Sequence, residues 1–530
     1  MERRWNAWGR EGLAPQLPAG ALAMLAEQLG PGVPLGEAAL AEALARVPTS
    51  RLGPNPLWSR DPELRLRHAR GQSLPDWLAL KSGQLGHYPD AVAQPDNEDQ
   101  LRALLDTART QGLVVIPYGG GTSVAGHINV PDSPRPVLTL SLARMNRLLH
   151  LDPVSQLATF GAGVTGPALE AALNAQGFTL GHFPQSFELS TLGGWVASRS
   201  SGQQSLTYGR IEQLFAGGVL HTLEGRWRLP TQPASAAGPD WRELILGSEG
   251  RVGVLSQVTV RVRPLPRAER FCTSILKDWD QALLAVRALV QAGVPAGMLR
   301  LSHPEETRTQ LALALPENKR RWLERYLALR GATAPAMLVW EGGADYRAIK
   351  RALNRHGAVL HSATLGAHWQ RKRFLAPYLR DTLWQAGYCV DTLETAIDWA
   401  NLEPLRRAME HSLRSGLASE DQPVLAFTHI SHVYRQGASL YTTYLFPCGQ
   451  DAQHTLARWQ RLKHATSATI VEHGGTISHQ HGVGRDHAPY LAQEKGPIAQ
   501  DTLAAVLSHF DPEAQLNPGA LLAKEPGCEA

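Results

Sequence analysis

Residues 113–126 read LVVIPYGGGTSVAG. Leu113 to Tyr118 form a short apolar run, the pattern of a buried strand, and Gly119, Gly120 and Gly121 follow at once, with Thr122, Ser123 and Gly126 behind them. Upstream, Leu101, Leu104, Leu105 and Ala108 keep helical spacing after Asp96 and Asn97, and Gly112 is placed to close that helix. The order is therefore helix, strand, glycine loop. Successive amides without side chains make a concavity suited to a phosphate or pyrophosphate. The loop is not a GxxxxGK phosphate loop, because His127 stands where lysine is required, nor a GxGxxG fingerprint, because Val124 replaces the last glycine. By itself it also reads as a plain turn.

Two further segments bear on that choice. Gln185 to Thr191, then Gly193, Gly194 and Trp195, then Ser198 to Gly202, are dense in small and hydroxyl residues, and Gly247 to Val254 opens a valine-rich strand. Between them lies a second unit, with a strand around Leu157 to Phe160, Thr165 as N-cap, a helix through Leu169 and Leu173, and Gly177 to end it. Three glycine loops in one α/β region suggest one extended cofactor. Beyond Arg261, VRPLPRAER marks a boundary, and helical patterns then alternate with strands such as Ala426 to His429 and Leu440 to Phe446. Ahead of the α/β region, helices are expected over Ala21 to Leu29 and Glu37 to Ala45.

Composition narrows the class. The 530 residues, 43% hydrophobic and 19% charged, exclude a disordered solvating chain, and a formal charge of +4 is too small to imply nucleic-acid binding. Cys272, Cys389, Cys448 and Cys528 form no CxxC pair, which argues against a zinc module or disulfide scaffold. No apolar run reaches the about 18 residues of a membrane span, and MERRWNAWGREG lacks a signal-peptide core, so a cytoplasmic protein is expected.

Taken together, PYGGGTSVAG, QSFELSTLGGWVASRSSG and LGSEGRVGVL resemble the FAD-binding (PCMH-type) domain of the vanillyl-alcohol oxidase type flavoproteins. Within that superfamily the chain is most similar to the alkyldihydroxyacetonephosphate synthase (alkylglycerone-phosphate synthase) family, through WNAWG at 5–9, STLGGWVASRSSG at 190–202, DTLETAIDW at 391–399 and SHQHGVG at 478–484. The ending FDPEAQLNPGAL and the histidine-glycine turn also resemble D-lactate and glycolate dehydrogenases. The resemblance implies an α+β protein: a two-subdomain α/β FAD-binding domain plus an antiparallel-sheet α+β substrate or cap domain. The expected division is a helical extension over 1–86, the FAD domain over 87–265, the cap over 266–465 and a segment completing the site over 466–530.

Residue by residue, it implies that FAD is lined by Pro117, Tyr118, Gly119, Gly120, Gly121, Thr122 and Ser123; by Gln185, Ser186, Phe187, Glu188, Leu189, Ser190 and Thr191; by Ser198, Arg199, Ser200 and Ser201; and by Glu249, Gly250, Arg251, Val252, Gly253, Val254 and Leu255. Covalent members often carry a histidine in the first loop, where Gly121 and Thr122 stand here, so non-covalent FAD is expected.

The second half supplies the reactive groups. Tyr441 matches the family tyrosine that donates or accepts a proton, a task for a phenol of pKa about 10 only if its surroundings assist. His479 and His481 flank Gln480 before Gly482 and Gly484, and imidazoles near pKa about 6.5 suit acid–base work. Family members usually have three consecutive histidines there, and the Gln480 amide cannot exchange a proton near neutral pH. Arg300 matches a family arginine needed for activity, and Arg380 one that binds substrate. A guanidinium grips carboxylate or phosphate alike. His429, His432 and Tyr434 are read as packed or surface residues, Asp391, Glu394 and Asp398 are given no role, and no metal is expected, although His479, His481 and His487 could form a ligand set.

Two chemistries stay open. One exchanges the acyl chain of an acylated dihydroxyacetone phosphate for a fatty alcohol, an ether-lipid reaction without net redox change. The other is dehydrogenation or oxidation of a D-2-hydroxy acid such as D-lactate or glycolate, or of glycerol 3-phosphate, with His479 or His481 as base. Either takes a small-molecule or lipid-like substrate bearing phosphate or carboxylate, and a homodimer stays open. The basic stretch Asn318 to Arg330 reads as a solvated helix with Trp322, Leu323, Tyr326 and Leu327 turned to the core, with contact to anionic lipid as the alternative.

Overall fold

The computed structural model describes residues 3–13, 15–17 and 19–523. Cys528 lies outside them. The helix Glu98–Gln111 starts where Asn97 accepts the Gln100 N–H at 2.9 Å, carries Glu98 and Asp99 against its positive end, and stops at Gly112, whose φ of 65° suits glycine. It buries Leu101, Leu104, Leu105 and Ala108. The chain then enters the strand Val114–Tyr118, which pairs parallel with Val137–Ser141, itself parallel to Ala91–Ala93.

Among the described residues the strands form four sheets. The parallel trio gains Trp58–Ser59 as an antiparallel edge. A five-stranded antiparallel sheet runs Leu148–Asp152, Leu157–Gly161, Val254–Arg261, Phe215–His221, Arg226–Leu229, and shares one apolar core with the first sheet. A two-residue pair, Arg263–Pro264 on Phe178–Thr179, closes this half. The other half is a seven-stranded antiparallel sheet ordered Ala358–Ser362, Phe271–Leu276, Ala336–Glu341, Met298–Ser302, Leu425–Val433, Gly437–Pro447, Tyr388–Asp398. The helices Trp279–Gln291, Trp399–Ser415 and Ala452–Glu472 pack into its core. This is the α+β arrangement expected.

Several local expectations shift. Residues 3–86 are not a separate helical appendage, because Trp58–Ser59 joins the first sheet and Trp8 is buried in the core of the seven-stranded half. The helix expected from Glu37 starts at Leu40, since the Ala38 N–H goes to Lys81 O and the Glu37 carboxylate to Lys81 Nζ at 2.9 Å. A division at 465/466 falls inside the helix Ala452–Glu472. The C-terminal stretch returns to the first half: Val115 N–H donates to Gln515 O, and Asn517 N–H to Val115 O. On the helix Glu317–Leu329 only Leu323 and Leu327 are buried, whereas Trp322 is 68% exposed and stacks on Tyr326. No helix of the described residues is long and apolar enough to cross a membrane.

Candidate active site

A cavity of about 780 Å³ lies between the two halves, within the range of ligand pockets. Its floor is the loop after Val114–Tyr118. A Cβ on Gly120 would sit 2.0 Å from Leu189 O, so only glycine lets the 185–191 loop close over this run. Arg3 fixes the loop from behind, donating to Gly120 O at 2.7 Å. Pro117 to Ser123 all line the cavity, with Gln185, Ser186, Ser190, Thr191, Ser198, Ser200, Ser201, Glu249, Gly250, Gly253, Val254 and Leu255. Thr191 Oγ1 and Ser201 Oγ are buried there without a protein partner, and a polyhydroxyl diphosphate such as FAD is the kind of group that would use them. The residues present fit that cofactor.

Other members of the four segments turn elsewhere. Phe187 stacks on Phe374, Glu188 pairs with Arg10 and Tyr378, Arg199 with Glu243, Arg251 is buried and donates to Ala520 O, and Val252 is core. Leu189 contributes its backbone oxygen over Gly120 rather than lining the cavity. Glu249 does more than line the space. Its carboxylate faces His127 Nε2 at 3.0 Å and accepts the Val483 and Gly484 N–H groups at 2.6 and 2.8 Å, so one side chain joins the first glycine loop to the histidine-glycine turn. Gly484 has φ 56°, and a Cβ there would run into Ala125 O.

At the other end of the cavity Arg300, Glu306, Arg380, His429, His432, Tyr441, Gln480 and His481 come together. Glu394, opposite Tyr441 on the neighbouring strand, accepts the Gln480 and His481 N–H groups at 2.7 and 2.6 Å and so shapes the turn. Burial raises the Tyr441 phenol to about 12, with Glu394 and Asp391 adding to the shift. Its ring lies 4.9 Å from that of His429 and 5.8 Å from that of His481. Burial also lowers the pKa of the His481 imidazole, against the pull of Glu394.

His479 does not line the cavity. Its Nε2 lies 2.7 Å from both Arg210 Nη1 and Tyr434 Oη, and burial with the nearby His432 and Arg210 drives its pKa well below the usual range. His487 is turned to Gly482 O, away from any shared ligand set with His479.

Arg380 donates to Gln72 O at 2.6 Å and stacks over Trp77 at 4.4 Å, while its buried Nη2 has no protein partner. Arg300 is instead spent on Ser302 and on Glu306, at 2.6 Å. Glu306, which the sequence did not single out, is fully buried, stays ionised through Arg300 despite burial, and stands 3.1 Å from His429 Nδ1. Its only sequence signal is its place in the first turn of the helix Pro304–Ala314.

An apolar wall adjoins this group, Leu383 standing one helical turn from Arg380. Leu17, Leu25, Leu383, Phe427 and Leu445 line the cavity and belong to one cluster in which the helix Ala19–Leu29 packs on the seven-stranded sheet.

Residues 89–228 match the family model described as FAD binding domain, and residues 265–521 match FAD linked oxidases, C-terminal domain. Alkyldihydroxyacetonephosphate synthase of Dictyostelium discoideum is 30% identical over 478 residues, covering 86% of this chain and 77% of that protein. The enzyme of the same name from Trypanosoma brucei brucei is 29% identical, covering 88% and 78%. A solved alkyldihydroxyacetonephosphate synthase structure superposes with a TM-score of 0.82 at 25% identity over 97% of this chain and 98% of its own.

Proposed function

The chain belongs to the FAD-linked oxidase family and is an FAD-dependent enzyme, and from that premise we propose that it carries out the alkyldihydroxyacetonephosphate synthase reaction, replacing the acyl chain of an acylated dihydroxyacetone phosphate by a fatty alcohol on non-covalently held FAD. The observation that carries this reading is the lining of the cavity: one space holds both the Arg380 guanidinium and an apolar cluster of Leu17, Leu25, Leu383, Phe427 and Leu445 that starts one helical turn from it. A phosphate-bearing amphiphile uses both the cation and the apolar wall. A small 2-hydroxy acid uses only the cation.

FAD, when bound, supplies an electrophilic ring against which the carbon–oxygen bonds of the substrate can be exchanged. The chain's residues do the rest. Arg380 has a free N–H edge for the phosphate, and its partial desolvation makes that contact stronger than one in water. Tyr441, held protonated by burial, can donate to a departing carboxylate. His481 and His429, both kept neutral by burial, can accept a proton from the substrate, and Glu306 beside His429 stabilises the imidazolium that would form. Arg300 acts through Glu306 as a positioning residue. His479 is a positioning residue as well, because Arg210 occupies its Nε2.

Non-covalent FAD is supported by His127, the histidine adjoining the first glycine loop, whose ring nitrogens are engaged by Ser123 and Glu249. Access to a lipid surface is supported by Trp322 and Leu329, 68% and 87% exposed, on a helix that also carries Lys319, Arg320 and Arg321. A division near residue 265, between the five-stranded and seven-stranded sheets, fits the same reading.

Oxidation of a 2-hydroxy acid is the second reading, favoured by Gln480 and by the His429–Glu306 pair. An anaerobic absorbance titration separates the two. Bleaching of the flavin by D-lactate, glycolate or glycerol 3-phosphate would establish the oxidoreductase. A flavin that stays oxidised while labelled hexadecanol is incorporated into an alkyl product establishes the exchange.

A further inference from the structure

Cys389 and Cys448 sit on adjoining stretches at one end of the seven-stranded sheet. Cys389 belongs to the strand Tyr388–Asp398, and Cys448 directly follows the strand Gly437–Pro447 and donates its N–H to Gly387 O at 2.9 Å. Their sulfur atoms are 3.6 Å apart, in contact, and both side chains are buried, 1% and 7% exposed. A disulfide needs about 2.05 Å between the sulfurs, so closing the gap takes about 1.5 Å of side-chain movement. Neither thiol has a place in the proposed reaction.

We infer that Cys389 and Cys448 form a reversible redox site that takes a peroxide as oxidant and closes to an intrachain disulfide. The order of events follows from the surroundings. Cys448 is the less buried, Arg458 donates to its carbonyl at 3.0 Å, and the Cys389 thiol hydrogen-bonds to its sulfur, which together favour the Cys448 thiolate. Cys389, deeper and beside Asp391, holds its proton. The Cys448 thiolate attacks a peroxide oxygen; an S–O bond forms, the O–O bond breaks, and hydroxide leaves and is protonated to water, giving a sulfenic acid. The Cys389 thiol then attacks that sulfur; the S–S bond forms, the S–O bond breaks, and a second water leaves with the thiol proton. Two thiols lose two electrons, and one peroxide becomes two waters.

The site bears on the cavity. Val390 and Asp391, next to Cys389, line it. Closing the pair would pin the strand that carries both cavity-lining residues.

The test uses the FAD-loaded protein, treated with hydrogen peroxide, alkylated after unfolding and mapped by mass spectrometry. The expected result is loss of two alkylatable thiols per chain, one peptide cross-link joining Cys389 to Cys448 in the monomer, full reversal by dithiothreitol, and Cys272 still alkylatable. Cys389→Ser should abolish the cross-link and leave a dimedone-reactive sulfenic acid at Cys448, with the flavin spectrum unchanged to show that the variant is folded. Unmodified thiols, oxidation of each without a cross-link, or bonds through Cys272 or Cys528 instead would overturn the inference. None of these readouts depends on which substrate the enzyme takes.

Discussion

Arg210 places Nη1 2.7 Å from Nε2 of His479 and Nη2 2.8 Å from the carbonyl of the same residue. A guanidinium has no acceptor, so Nε2 must present its lone pair, and the ring is neutral with its proton on Nδ1, 4.0 Å from Glu394. Protonating Nε2 would expel Arg210 from a pocket it shares with Glu212 and Tyr434. This is a clamp on the 479–484 turn.

Breaking the clamp should show first in stability. Arg210→Met leaves Glu212 without its cation and should cost about 3 kcal/mol, whereas Tyr434→Phe removes the hydroxyl's contacts with Arg210 and His479 and should cost about 2 kcal/mol. Urea unfolding of both variants checks the ranking. Equal small losses would show that the clamp carries little energy.

Gly120 tests the cofactor cradle. Alanine would bring its Cβ to 2.0 Å from Leu189 O, a backbone atom that cannot swing aside, so Gly120→Ala should lower FAD affinity at least about tenfold through displacement of the 185–191 loop. Gly36, with nothing within 4 Å of its would-be Cβ, is the control, and Gly36→Ala should bind FAD like the parent. Flavin fluorescence titration of the apoprotein reads both.

Arg380 tests the cation in the cavity. Lysine keeps the charge but loses the flat stack on Trp77 and the fork that serves Gln72 O with one arm and leaves Nη2 for a ligand. Arg380→Lys should raise KM for a phosphate-bearing substrate about tenfold, and Arg380→Met about a hundredfold, the range of one to two charge-assisted hydrogen bonds. A rise in KM with kcat held identifies a binding role. A fall in kcat alone would place Arg380 nearer the bond being exchanged.

The glycine loops and the helix-strand unit before them were legible because local chemistry decides them. Asn97, Gly112 and the 101–108 apolar stripe each act within their own turn of chain. The resemblance carried Arg300, Arg380, Tyr441 and His481 to one cavity, but not their partners. Glu306 and Glu394 are carboxylates in ordinary sequence settings, and only the register of the seven-stranded sheet sets Glu394 opposite Tyr441. His479 looked equivalent to His481, since both flank Gln480. What separates them is Arg210, a contact across 269 residues that no local pattern encodes.

Buried histidines give the chain a distinct acid profile. Burial, aided by Arg210, lowers His182 and His432 to about 3, and burial lowers His68 and His303 to about 4. Each is neutral in the folded protein, while in the unfolded chain it titrates near about 6.5. Below that pH the unfolded state binds protons the folded state refuses, so stability falls as pH falls, by up to about 1.4 kcal/mol per pH unit for each such histidine. His182 and His432 together then contribute about 2 to 3 kcal/mol per unit between about pH 6 and 4. Carboxylates held low by arginine, such as Glu403 at about 2, add their loss only below about pH 4.5. Urea midpoints at pH 7.5, 6.0 and 5.0 should therefore drop steadily, and His432→Asn should flatten the slope by about one proton's share. A profile level from pH 7.5 to 5.0 would mean that these rings accept protons without leaving their places.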